Sequence, residues 1–162
     1  MSKAWLLQQV GCKSDLGRPS KMPCASYSLP AAECKVGQAL AKVKGSVCEG
    51  CYADGRGNYR WDTVQTALYR RLASISKASW VQSMALLIHQ ERNPHFRWHD
   101  SGDIQSLTHL IKINAVALML PHVSFWLPTR ETGIVSEFMR RFGGALAPNL
   151  TIRLSSAMVD ST

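Results

Sequence analysis

His95-Phe96-Arg97-Trp98-His99, Val123-Ser124-Phe125-Trp126-Leu127 and Leu150-Thr151-Ile152-Arg153-Leu154 are three short runs rich in aromatic and β-branched residues. Their starts lie 28 and 27 residues apart, close to one strand–helix–strand unit of about 30 residues. The stretches between them repeat at helical spacing. One carries Ile104, Leu107, Ile111 and Leu118, with Asp103 as the expected N-cap. The other carries Val135, Phe138, Met139 and Phe142, with Arg140 and Arg141 in its last turn and Gly143-Gly144 as the stop. Strand and helix in alternation predict a parallel sheet, hence an α/β fold: a partial (β/α) barrel or an open parallel sheet.

Upstream of these runs, Asp62 is the expected N-cap of a helix with Val64, Leu68, Leu72 and Ile75 on one face. A second helix presents Val81, Met84 and Ile88 and stops at Asn93-Pro94. Residues 1–60 differ in character. They are punctuated by glycine and proline, hold all five cysteines, and carry nine basic against four acidic side chains. So loop-rich a segment, with little apolar material, is expected to be organised by bound metal. The 162 residues are read as one domain, with a Cys-rich segment over 1–60 and β/α repeats over 61–162.

Hydrophobic residues at 46% and charged residues at 19% exclude a disordered tail, and no apolar tract is long enough to span a membrane. The N-terminus lacks a signal-type apolar core, so a cytoplasmic location is expected. An odd number of cysteines in such a chain argues against a disulfide framework.

Ligands of parallel α/β folds bind beyond the carboxyl ends of the strands. The residues expected there are polar: His99, Asp100, Ser101, Gly102 and Asp103, then Thr129, Arg130 and Glu131, then Ser155 and Ser156. If Phe96 and Trp98 face the helices, Arg97 and His99 face the other way, as do Thr151, Arg153 and Ser155. Each of these has an ordinary structural role open to it as well, as a cap or as an ion pair of Arg97 or Arg153 with Asp100 or Glu131. The histidines make no metal-type pair, and His89, His109 and His122 are expected at the surface. Tyr59-Arg60-Trp61 with Arg70-Arg71 is either a nucleic-acid contact or a solvated helix face.

The thiols are the sharper signal. Cys48-Glu49-Gly50-Cys51 is a C-x-x-C pair, and Cys24 and Cys34 add two thiolates from a Pro-flanked loop. Four thiolates suit tetrahedral zinc or an iron–sulfur cluster, and the wide separation of Cys24 from Cys34 favours the cluster. Cys12 is left as a structural thiol.

Several stretches resemble the phage "gene 88" protein family: Lys21-Met-Pro-Cys24, Tyr27-Ser-Leu-Pro-Ala31 with Cys34, Gly45-Ser-Val-Cys-Glu-Gly-Cys-Tyr-Ala53, Phe96-Arg-Trp-His-Asp-Ser-Gly-Asp103, Phe125-Trp-Leu-Pro-Thr-Arg-Glu131 and Pro148-Asn-Leu-Thr-Ile-Arg153. The Cys-Tyr-Ala ending is also similar to phage proteins related to radical S-adenosylmethionine enzymes. The resemblance implies a phage or prophage origin, a partial barrel (in a minimal or shortened form) and a [4Fe–4S] cluster on Cys24, Cys34, Cys48 and Cys51, with zinc as the alternative. The spacing departs from the three-thiolate radical pattern, so a closed four-thiolate cluster is one expectation. S-adenosylmethionine as cosubstrate is the other, with Asp100, Asp103 and Arg130 as catalytic candidates and Arg97, His99, Ser101 and Arg153 as cofactor contacts. The competing expectation is a non-enzymatic effector with a structural metal. Its net charge of +8 suits nucleic acid, and a host protein is the other candidate partner.

Overall fold

The computed structural model describes residues 1–159. Four strands, β1 (Ser26–Tyr27), β2 (His95–Trp98), β3 (Ser124–Thr129) and β4 (Leu150–Leu154), form an open sheet in the order β1-β2-β3-β4. Every pairing is parallel. Six α-helices accompany them among the described residues: α1 (Lys3–Gln9), α2 (Lys35–Leu40), α3 (Asp62–Ser74), α4 (Trp80–Gln90), α5 (Leu107–Met119) and α6 (Thr132–Phe142). Of the two architectures expected, the open sheet is the one found. None of the helices is long and apolar enough to cross a membrane.

Alternation along the strands builds the core. Phe96, Trp98, Phe125, Leu127 and Leu150 point to one face and are buried against α1, α4, α5 and α6. Trp98 stacks on Trp80 of α4 at 5.9 Å and on Phe125 at 6.2 Å, and Tyr27 meets both tryptophans edge-on. Each large apolar side chain so buried contributes about 1.5–3 kcal/mol. The Tyr27 hydroxyl donates to the Val10 carbonyl at 2.7 Å, and the Trp80 indole donates to the Tyr27 oxygen at 3.3 Å, so the polar tips of these two rings are satisfied.

Four expectations need correction here. The first 60 residues are not short of core material: Leu6, Leu7, Val10, Leu16, Ala25, Tyr27 and Leu29 all join the main cluster. Asp103 does not cap α5. Ser106 does, accepting from the His109 amide at 3.1 Å, because residues 103–105 are not yet helical. The buried face of α5 is accordingly Leu110, Ile113, Val116 and Ala117, while Ile111 and Leu118 are exposed. Trp61, not Asp62, precedes the first turn of α3, and Asp62 serves as an acidic first-turn residue. Finally, His109 is not at the surface. It is fully buried, with its ring edge-on to Trp80 at 5.8 Å.

Gly143, with φ of 59°, ends α6 in the left-handed region, as the Gly143-Gly144 stop required. The sheet face opposite the helices is open over most of β3 and β4, while Arg97 and Pro128 on it are half-buried. His95, Ser124, Trp126, Thr151 and Arg153 are exposed on it.

Candidate functional site

A cavity of about 260 Å³ lies beyond the carboxyl ends of β2, β3 and β4. One wall is the strand-end polar set: Arg97, His99, Asp100, Ser101, Asp103, Thr129, Arg130 and Ser155. The other is the thiol segment, which contributes Cys34, Gly37, Gln38, Cys48, Cys51 and Tyr52. Two regions remote in sequence thus meet across one space, where a parallel sheet places its ligands.

The thiol wall is built locally. A 3₁₀ turn (Ala31–Glu33) delivers Cys34 to the start of α2, and Gly37 follows one turn later. A Cβ placed on Gly37 would stand 3.8 Å from both the Cys34 and the Cys48 sulfurs, and 2.9 Å from the Cys34 Cβ. Glycine here keeps clear the space between two thiols. Cys48 and Cys51 sit in consecutive turns, with the Cys51 amide donating to the Cys48 carbonyl at 3.2 Å. Three ties hold this segment down. Tyr52 donates its hydroxyl to the Asp100 carbonyl, the Val47 amide donates to the Ala157 carbonyl at 3.1 Å, and the Val159 amide donates to the Gly45 carbonyl at 3.2 Å.

Burial pushes the Cys34 thiol up to about 12, with Asp103, Cys51 and Cys48 adding repulsion. Burial raises Cys48 as well, opposed by the positive charge of Arg130. A cation placed beside Cys34 and Cys48 would oppose both shifts by favouring their thiolates. Cys24 stands apart. It does not line the cavity, and the charge that acts on it is that of Arg97. Cys12 is a buried core thiol near Arg71.

On the strand wall, Asp103 is buried and its oxygens are already engaged. Oδ1 accepts from the Thr129 hydroxyl at 2.5 Å and the Ile104 amide at 2.7 Å, and Oδ2 accepts from the Arg130 amide at 2.9 Å. Burial raises its pKa against the pull of those donors. Asp103 therefore joins the ends of β2 and β3. Asp100 accepts from the hydroxyls of Ser26, at 2.7 Å, and Ser28, with Tyr59 at 3.4 Å. Glu131 accepts from the Val36 amide at 3.0 Å in the first turn of α2. Neither acid forms an ion pair with Arg97 or Arg153, because hydroxyl and backbone donors occupy them first. Ser101 donates its hydroxyl to the Leu29 carbonyl at 2.9 Å, fixing the loop after β2.

Three of the cavity-lining side chains carry a buried polar atom without a partner among the described residues. The Nε atoms of Arg97 and Arg130 and the Nε2 of His99 are buried and make no hydrogen bond. His99 sits at φ 58°, and its Nδ1 lies 3.1 Å from the Tyr27 carbonyl. A carbonyl only accepts, so Nδ1 carries the proton and Nε2 keeps a lone pair. Complete burial lowers its pKa to about 4. The cavity therefore offers two cationic donors and one neutral nitrogen base. Arg153 does not line it but stands exposed on the open sheet face. Arg70 and Arg71 also lie away from it: Arg70 donates to the Gly11 carbonyl at 2.8 Å, and Arg71 lies over the Tyr27 ring.

Gly37, Gln38 and Tyr52 complete the site beyond the residues expected from sequence. Tyr52 had a visible signal, since it directly follows Cys51 in the Cys-Tyr-Ala run. Gly37 had none, because its value lies in the side chain it lacks.

Fold and site define a mixed α/β protein with a thiol-walled pocket at the ends of parallel strands. The chain belongs to the Gene product 88 family, a phage protein family, whose sequence pattern matches residues 2–161. No curated protein and no solved structure matches it.

Proposed function

We propose that this protein binds an iron–sulfur cluster of the [4Fe–4S] type through Cys34, Cys48 and Cys51, and that the cavity behind the thiols receives a small anionic cosubstrate. The observation that carries this reading is the convergence of three thiols, from two separate turns, on one cavity with Gly37 leaving the space between them open. Among the described residues no three His, Cys, Asp or Glu side chains are grouped closely enough to hold a single metal ion. A tetrahedral zinc with bonds of about 2.3 Å draws its sulfurs to within ~3.8 Å of one another. A cubane holds its thiolates on separate iron corners, farther apart than a single metal ion does.

Held by Cys34, Cys48 and Cys51, the cluster would supply one-electron chemistry at the cavity. The chain's own residues would do the rest. Arg130 and Arg97, whose Nε atoms are buried and unpaired, would offer guanidinium donors to a carboxylate or phosphate, and S-adenosylmethionine, with its amino-acid carboxylate, fits that demand. His99 Nε2 is free to accept a hydrogen bond from the bound molecule. Asp103 and Asp100 act as positioning residues, since their oxygens already hold Thr129, Arg130, Ser26 and Ser28. Cys24 stays outside the ligand set.

Anaerobic isolation, or reconstitution with iron and sulfide, tests the proposal. The expected product is brown, with a broad visible absorption and about four irons per chain. Cys34→Ser, Cys48→Ser and Cys51→Ser each lose the colour, while Cys24→Ser keeps it. A colourless protein with one zinc per chain, or a Cys24→Ser variant as empty as the other three, overturns the assignment.

A further inference from the structure

The sheet face turned away from the helices is unusual for a parallel sheet, which normally has both faces covered. Its strand register brings Arg97, Trp126 and Thr151 into one row, and Pro128 and Arg153 into the next. Trp126 is 41% exposed at the centre of the sheet, and the Arg97 guanidinium lies 4.9 Å from its ring centroid. Arg153 is exposed and forms no ion pair among the described residues. No acidic side chain alternates onto this face of β2, β3 or β4, where the outward residues are His95, Arg97, Ser124, Trp126, Pro128, Thr151 and Arg153.

We propose that this open face is a binding platform for single-stranded nucleic acid, with an unpaired base stacked on the Trp126–Arg97 pair and Arg153 set against the phosphate backbone. A flat aromatic flanked by guanidiniums on an exposed sheet is what unpaired bases and phosphodiesters require together. The net charge of +8 supplies the long-range attraction, and the face supplies the local geometry. An acidic protein partner would satisfy the arginines but would have no use for an isolated, solvent-facing indole stacked on one of them. The platform runs into the thiol-walled cavity through Arg97 and Pro128, which line both. The inference goes beyond the cluster reading and does not depend on it.

Fluorescence anisotropy with a fluorescein-labelled oligothymidylate of about 15 nucleotides, titrated with the full chain at several salt concentrations, tests it. The expected result is saturable binding that weakens with salt, with tryptophan quenching. Trp126→Ala lowers affinity about 5- to 150-fold, and Arg153→Ala reduces the log–log salt slope by about 0.7. A duplex of the same length binds more weakly than the single strand. Iron-dependent absorbance stays unchanged in Trp126→Ala, so failure of the platform and failure of the cluster are read separately. Absence of binding at low salt, equal binding of duplex, or affinity indifferent to Trp126→Ala overturns the proposal.

Discussion

Replacement of Gly102 by alanine tests the geometry that sets the strand wall against the thiol wall. Gly102 adopts φ +77°, and a Cβ built there would stand 2.5 Å from the Leu29 Cβ and 2.7 Å from the Leu29 carbonyl oxygen. Leu29 cannot retreat, because its amide donates to the Ser101 carbonyl at 2.9 Å and its own carbonyl accepts the Ser101 hydroxyl at 2.9 Å. The left-handed backbone costs an alanine about 1–2 kcal/mol, and the overpacking adds about 1–3 kcal/mol. Gly102→Ala should therefore lose about 2–5 kcal/mol, a large share of the roughly 5–15 kcal/mol that holds such a domain. With a urea m-value near 2 kcal/mol/M, the unfolding midpoint falls by about 1–2.5 M. Urea titration followed by circular dichroism reads this directly. Gly133→Ala is the matched control: it lies in α6 with nothing within 4 Å of its added methyl and should gain up to about 0.5 kcal/mol. A Gly102→Ala midpoint equal to wild type would refute the packing argument.

Acidification has a defined sign. His99, held near 4 when folded, binds its proton more readily when unfolded, so its stabilising contribution is complete above about 6.5 and is lost as pH falls towards 4. The loss amounts to about 3 kcal/mol. His109, lowered by burial with the Lys112 charge adding to it, acts in the same direction. Asp103, raised by burial, opposes both at the acid end, its contribution being present at low pH and lost as pH rises past 3.8. Urea midpoints from pH 7 to 4.5 should decline, and a flat profile contradicts neutral burial of the two imidazoles. Asp103→Ala, which strands the Thr129 hydroxyl and two amides, should cost about 3–5 kcal/mol by denaturation. Asp103→Asn loses chiefly the bond from the Arg130 amide and should cost about 1–3 kcal/mol. Gly37→Val, with its methyl groups between the Cys34 and Cys48 sulfurs, should abolish iron loading while keeping the far-ultraviolet spectrum. Loading at the wild-type level would remove Gly37 from the site.

Much of the frame was legible because its signals are local. The aromatic alternation in Phe96 and Trp98 and the Gly143 stop depend on neighbours in sequence, and the pattern around them located three of the four strands. β1 was hidden because two residues, Ser26 and Tyr27, carry no period. Asp103 misled because one side chain suits both a helix cap and a strand-to-strand tie, and only the position of Thr129 decides between them. His109 looked like a surface residue because a lone polar ring on a helix gives no hint that Trp80 will cover it. The strand-end polar set was readable from topology alone. The separation of Cys24 from the other thiols was not, since it depends on how the loop from Pro19 to Pro23 turns back past Arg97.

The thiol segment is closed from outside by residues 157–159, through the amides of Val47 and Val159. Those residues follow β4 and leave the ribosome long after the cysteines do. Until they arrive, the loop bearing Cys48 and Cys51 lacks the two backbone bonds that tie it to the chain beyond β4. The thiol loop therefore gains these two bonds only after β4 has been made.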